Sequence, residues 1–251
     1  MKKDPWYNLK QYTNARIAIG HSGASLPTSE LLKFRMAHSL AKDAIYSEID
    51  TPQLTADLLN SGIKSVVVQS NAAERKDYLL RPDKGRLLDQ ESINKLQFAV
   101  KEPVDLCIII ADGLSANAVN THSVKLINYL LPLLKDWTLS PVILAKQGRV
   151  ALSDSIGQIL KAQISLLLIG ERPGLSSPDS MGAYITYQPQ QGNTDEKRNC
   201  VSNIQSDGLS YEVAALKIAY LLQQMRTKQI SGVLLKDDYD NNIFQIDGKK
   251  Y

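Results

Sequence analysis

Ile164-Ser165-Leu166-Leu167-Leu168-Ile169-Gly170-Glu171-Arg172-Pro173-Gly174 is a short apolar run that stops abruptly in a charged, glycine-bracketed turn. An apolar run of this length, bounded by turn residues, reads as a buried strand. Two other runs end in the same style. Leu106-Cys107-Ile108-Ile109-Ile110-Ala111 leads into Asp112-Gly113-Leu114-Ser115, and Val142-Ile143-Leu144-Ala145 leads into Lys146-Gln147-Gly148-Arg149-Val150. In an open parallel sheet, ligands sit in the crevice outside the carboxyl ends of the strands. Three polar, glycine-bearing loops at three strand ends therefore point to one assembled binding site.

Outward from these runs, helical and extended patterns alternate. Residues 1–60 read as helical and mostly polar, with Thr28 as the cap of a helix reaching about residue 47. Leu32, Met36, Leu40 and Ala44 fall at four-residue spacing on one face of it. A second helix covers about Pro52 to Leu59 and ends at Ser61-Gly62. Residues 63–70, with Val66-Val67-Val68, read as a buried strand. Helices are expected over 89–101 (Ile93, Leu96 and Val100 inward), about 116–135, about 153–162 and about 209–227. The last should turn Leu209, Val213, Leu216 and Tyr220 inward. Strands fall at 104–111, 141–145, 164–169 and 184–187. This alternation predicts an α/β fold, a Rossmann-like parallel sheet with a small N-terminal helical domain over 1–60 and the sheet domain over 61–251. Residues 174–208 are rich in turn formers, and order resumes at Arg198-Asn199-Cys200-Val201-Ser202-Asn203-Ile204.

Bulk composition narrows the function. The chain has 251 residues, 43% hydrophobic and 22% charged, with a net charge of +3. That charge is too small to argue for nucleic acid as a main partner. No run of eighteen apolar residues is present, so no transmembrane helix is expected. The basic start has no apolar run behind it and does not read as a secretory signal. Two cysteines and three scattered histidines make neither a disulfide framework nor a zinc signature, and a reduced cytoplasmic setting follows. There is no G-x-G-x-x-G; Gly20-His21-Ser22-Gly23 precedes a helix but follows no long strand. P-loop and G-x-S-x-G motifs are also missing.

Several residues carry both a chemical and a plain structural reading. Tyr78-Leu79-Leu80-Arg81-Pro82-Asp83-Lys84-Gly85-Arg86 reads first as a solvated turn and second as a ligand or partner loop. Asp112 either serves a ligand or caps the next helix, and both readings stay open. In Gly170-Glu171-Arg172-Pro173-Gly174, the glycines admit close backbone approach and Pro173 stiffens the turn. Glu171 could accept hydrogen bonds from a ligand; its plain reading is a surface pair with Arg172. Cys107 and Cys200 read as free core thiols. No nucleophile–base pair and no paired carboxylates stand out, so catalytic residues are not assigned. The chain reads as a ligand-binding α/β subunit rather than a self-sufficient catalyst.

Taken in order, these segments resemble one family, the small (light) subunit of ethanolamine ammonia-lyase. The resemblance rests on Ala15-Arg16-Ile17 with Leu26-Pro27-Thr28, residues 78–86, Asp112-Gly113-Leu114-Ser115-Ala116, Gly148-Arg149-Val150, Gly170-Glu171-Arg172-Pro173-Gly174-Leu175 and Cys200-Val201-Ser202-Asn203-Ile204. It implies an adenosylcobalamin-dependent lyase that converts ethanolamine to acetaldehyde and ammonia, with substrate and most catalytic groups in a large, TIM-type subunit. The small subunit would close over the cobalamin at the subunit interface, and the family's cofactor contacts match Val150, Glu171 and Cys200. The D-x-H-x-x-G motif of proteins that ligate cobalt through histidine is missing, so no residue is assigned to metal. The family's usual arginine stands as His21 here. The expected setting is cytoplasmic, with a bacterial microcompartment as an option despite the lack of the usual N-terminal targeting extension. The alternative is a Rossmann-like small-molecule or nucleotide-binding module without catalysis.

Overall fold

The computed structural model of the chain describes residues 4–13, 15–99 and 102–239. In chain order the elements are α1 (Thr28–Tyr46), α2 (Thr51–Asn60), β1 (Ser65–Gln69), α3 (Arg75–Leu80), α4 (Gln90–Ala99), β2 (Val104–Ala111), α5 (Ala116–Leu130), β3 (Val142–Lys146), α6 (Leu152–Ile159), β4 (Ala162–Gly170), β5 (Met181–Tyr187), β6 (Arg198–Ile204) and α7 (Tyr211–Lys228). The six strands form one sheet in the order β1-β3-β2-β4-β5-β6. β1, β3, β2 and β4 run parallel, whereas β5 pairs antiparallel with β4 and β6 antiparallel with β5. The protein is thus mixed α/β with a mostly parallel sheet. β6, which mixes buried and exposed positions, gave no clear strand pattern in sequence.

Both faces of the parallel strands are covered, which is why their sequences are continuous apolar runs rather than alternating ones. On one face Leu106, Ile108, Ile110, Leu144, Leu166 and Leu168 pack against Leu54 and Leu58 of α2, Val119 and Leu126 of α5, and Ile218 and Leu222 of α7. On the other, Cys107, Ile109, Ile143, Leu167 and Ile169 meet Leu96 of α4 and Leu152 and Ile156 of α6. Each such side chain contributes roughly 1.5–3 kcal/mol by leaving water.

Three sequence expectations need correction. Thr28 is the first helical residue of α1 and makes no side-chain cap bond; Pro27 holds the cap position. Of the stripe Leu32, Met36, Leu40 and Ala44, only Ala44 is buried, and Met36 is 67% exposed. Four-residue spacing marks a face but not what lies against it. α7 buries Ala214, Ala215, Ile218, Leu221, Leu222 and Met225, while Val213 and Leu216 stay 42% exposed. Two apolar stripes interleave on this helix, and the one holding two alanines allows the closer approach to α5 and the sheet. α4 buries Leu96 as expected; Val100 lies outside the described residues.

The chain route sets where a site can form. β2 passes through α5 to reach β3 on one side, and β3 passes through α6, on the opposite face, to reach β4 on the other. Their connections leave to opposite faces, which opens a crevice at the carboxyl ends of β2 and β3.

Candidate functional site

A cleft of about 1240 Å³ occupies these strand ends. Its floor is Gly113 and Leu114 after β2 and Ile169 and Gly170 of β4. The two glycines are sterically required. A Cβ on Gly113 would lie 2.3 Å from the Gly170 carbonyl oxygen, and one on Gly170 would lie 2.0 Å from that of Ser115. Gly113 also sits at φ +57, where side chains are strained.

The cleft gathers the three residues singled out for the cofactor. Val150 follows β3, Glu171 follows β4 and Cys200 lies on β6, and all three line the same cleft. Glu171 is anchored. Its carboxylate accepts hydrogen bonds from the hydroxyls of Ser180 and Ser202 and, at 3.3 Å, from the Asn203 amide. These partners, rather than Arg172, hold it, so the surface-pair reading falls. Cys200 is exposed and not a core thiol. It stands opposite Tyr184 in the β5–β6 pairing. Desolvation raises its pKa, and the Tyr184 hydrogen bond opposes that shift. Cys107, fully buried on β2, has its thiol pushed up to about 12 by burial.

Asp112 does not cap α5, whose cap position is Ser115. Its carboxylate instead accepts hydrogen bonds from the amides of Gln147 at 2.8 Å and Gly148 at 2.9 Å, tying the end of β2 to the turn after β3. Burial raises its pKa to about 6, against the opposing pull of those amides and of Arg75, whose guanidinium is 3.8 Å away.

In the segment 78–86, Leu80, Arg81, Pro82, Asp83 and Arg86 are exposed, as a solvated turn requires, but Tyr78 and Gly85 are buried. Tyr78 is 1% exposed, and the guanidiniums of Arg75 and Arg149 lie 4.6 and 4.4 Å from its ring centroid. Arg149 also donates to the Tyr78 carbonyl at 2.8 Å, and the Arg149 amide donates to Gly85 at 2.8 Å. Burial pushes the Tyr78 hydroxyl up to about 12. Cation–π contact of this kind requires the arginines to surround the ring, which no local pattern reveals, because Tyr78 and Arg149 are far apart in sequence. A second feature missed in sequence lies beneath the cleft wall. Arg198 at the start of β6 pairs with Asp154 of α6, both buried, and Arg198 also reaches Asp195 at 3.0 Å. Burial raises the Asp154 pKa to about 6 although Arg198 opposes it. A buried pair can be recognised from sequence only by the rarity of arginine and aspartate among core neighbours, a weak signal here.

Among the described residues no cluster of metal-ligating side chains forms, and no helix is long and apolar enough to cross a membrane. The cleft walls carry arginines and carboxylates together with apolar Leu87, Leu114 and Ile169. Such a surface can hold a large, largely neutral ligand with many hydrogen-bonding arms. Among the described residues that line it, no nucleophile and general base are in contact.

Residues 3–236 match the family described as Ethanolamine ammonia-lyase light chain (EutC). Proteins named ethanolamine ammonia-lyase small subunit are similar along nearly the whole chain. That of Bradyrhizobium diazoefficiens is 50% identical over 237 residues, 93% of this chain and 91% of its own. That of Pseudomonas syringae pv. tomato is 46% identical over 249 residues, covering 97% and 87%. That of Xanthomonas campestris pv. campestris is 45% identical over 250 residues, covering 98% and 92%. Because the match spans all six strands and every loop that walls the cleft, the chain belongs to the ethanolamine ammonia-lyase light-chain family, the small subunits of an ammonia-lyase.

Proposed function

We propose that the cleft is this subunit's share of an adenosylcobalamin site, completed by the large subunit of a lyase that converts ethanolamine to acetaldehyde and ammonia. The observation that carries the reading is the convergence of Val150, Glu171 and Cys200, from three separate elements, on one cleft of about 1240 Å³. Bound adenosylcobalamin supplies the radical chemistry, and protein supplies binding and orientation.

The residues present fit that group. A corrin is an apolar ring edged with uncharged carboxamide arms. Glu171, held by two hydroxyls and an amide, is a fixed acceptor for a carboxamide N–H. The buried Arg149 Nε has no hydrogen-bond partner and is a donor available to a carbonyl arm. Leu87, Leu114 and Ile169 cover apolar ring surface and exclude water from it. Cys200 and Tyr184 form the wall on the β5–β6 side. Substrate and most catalytic groups belong to the large subunit in this reading, since among the described residues lining the cleft there is no histidine and no acid–base pair. We also read the sheet as Rossmann-like in organisation. We take residues 1–60 as an N-terminal helical part on the strength of α1 and α2, although α2 packs into the sheet core. The complex works in the cytoplasm or in a bacterial microcompartment.

Co-expression with a large subunit tests the reading. The two chains should elute together, bind adenosylcobalamin by corrin absorbance, and turn over ethanolamine. The chain alone should do none of this catalysis. Ethanolamine-dependent acetaldehyde from the isolated chain, or a complex whose cofactor affinity is untouched by filling the cleft with Cys200→Trp, would overturn it.

A further inference from the structure

We propose that Asp112 is the positioning residue of this site: its buried carboxylate, by holding the amides of Gln147 and Gly148, sets the turn that presents Val150 to the cofactor. The proposal rests on the cobalamin reading above.

The need for such a clamp comes from the topology. β2 and β3 are in register up to Ala111 and Ala145, and beyond that pair their connections leave to opposite faces of the sheet. Main-chain pairing with β2 no longer holds the β3 turn; from the β1 side the Ser70 hydroxyl donates to the Gln147 carbonyl at 2.8 Å, and the turn is not relaxed by itself. Gln147 sits at φ 54, a left-handed conformation that costs a non-glycine residue. Gly148 has little room, since a Cβ there would lie 3.0 Å from the Ala111 Cβ and 3.1 Å from Leu152. Asp112 takes one amide on each carboxylate oxygen at this point. On the far side of the same turn, the Arg149 amide is fixed to Gly85. Val150 follows directly and lines the cleft.

The clamp is sensitive to protonation. Asp112 is 1% exposed. The charged and titratable groups around it are Arg75 and Tyr78 of α3, and Arg149 of the turn packs on the Tyr78 ring. The β4 end meets it with Gly170, and the neighbouring Gly113, in the turn before α5, donates its amide to the same carboxylate at 3.0 Å. Its pKa is raised to about 6 by burial. Once protonated, one carboxyl oxygen becomes a donor facing an amide N–H, and that hydrogen bond is lost. Cofactor affinity should therefore be present above this value and decline as the pH falls through it.

The test uses the complex with the large subunit and reads adenosylcobalamin binding by corrin absorbance across pH. Asp112→Asn keeps the shape but offers only one acceptor oxygen. It should weaken binding by about tenfold at neutral pH, the loss of one hydrogen bond to a charged group. Wild-type affinity should fall through about pH 6, whereas the variant should be flat there. A residue that served folding alone would lower thermal stability without changing the pH profile of binding. Equal affinities and equal profiles overturn the role of Asp112. A wild-type complex that binds no adenosylcobalamin overturns the parent reading instead, a distinguishable result. If the variant does not assemble, hydrogen exchange over residues 147–150 in the wild-type complex decides. Protection corrected for the intrinsic pH effect should drop between about pH 7 and about pH 5, and constant protection overturns the clamp.

Discussion

The Glu171 carboxylate and the Ser202 hydroxyl are hydrogen-bonded across the gap between the turn after β4 and strand β6. With Ser180 and the Asn203 amide also donating, this acid both lines the cleft and ties two of its walls together. A ligand that reaches it meets an acceptor whose orientation is already set.

Glu171→Gln should therefore have two effects. Loss of the charged acceptor should weaken adenosylcobalamin binding by the complex about tenfold, since a hydrogen bond to a charged group is worth roughly 1.5–3 kcal/mol. Weaker bonds from Ser180, Ser202 and Asn203 should also lower thermal stability modestly. Corrin titration and a melting curve on the same preparation separate the two. Unchanged affinity in an intact complex removes Glu171 from the site.

Breaking the Arg198–Asp154 pair should be far costlier than its surface counterparts. Both side chains are buried, and without Asp154 the buried Arg198 keeps only the exposed Asp195 as partner, so the cost should approach the roughly 3–5 kcal/mol of an orphaned buried charge. Asp154→Ala should lower the urea midpoint strongly. Replacing both with apolar residues, Asp154→Leu with Arg198→Met, should cost less than the single change. A double variant as unstable as the single would contradict this account.

Gly113→Ala and Gly62→Ala compare strain with and without a clash. Gly62, at φ +75, has open space around its missing Cβ, so alanine there should cost about 1–2 kcal/mol of left-handed strain. Gly113 adds a clash at 2.3 Å with the Gly170 carbonyl, which is sheet backbone and cannot move away. Its alanine variant should fail to fold or melt far below the other. Equal melting temperatures would show that β2 and β4 ends can part.

Acid should act on stability through Asp112 and Asp154, each raised to about 6 from 3.8 by burial. In the folded protein these groups bind protons at pH values where the unfolded chain has lost them. Their contribution to stability is full below the unfolded value and is lost as pH rises through about 6. Asp112→Asn removes one such titration. Its stability relative to wild type should improve as pH rises from about 4 to about 6, as read from urea midpoints. The sign is opposite to the one expected for cofactor affinity, because folding is set by desolvation of the carboxyl and binding by its hydrogen bonds. A stability difference independent of pH would show that Asp112 titrates normally.

Much of the architecture was legible along the chain. The runs at 104–111, 141–145 and 164–169 announced buried parallel strands, because a strand covered on both faces has no polar side to alternate. Their glycine-bearing ends announced where a ligand would sit, because strand ends at a change of chain direction leave a crevice. Motif order along the chain then pointed to the family.

What the tertiary structure alone decided is partnership between distant residues. Periodicity is a local property: it marked an apolar stripe on α1 that almost nothing covers, and on α7 it offered two stripes, of which packing chose the one with Ala214 and Ala215. Tyr78 passed for a turn residue until Arg149, brought in from the β3 turn, packed on its ring. Asp112 could be neither cap nor clamp until the sheet order placed β3 beside β2. The sequence by itself determined which segments become strands and where their polar ends lie. Only closure of the sheet determined which ends face one another, because hydrogen bonds and desolvation at a site depend on distances that local sequence does not encode.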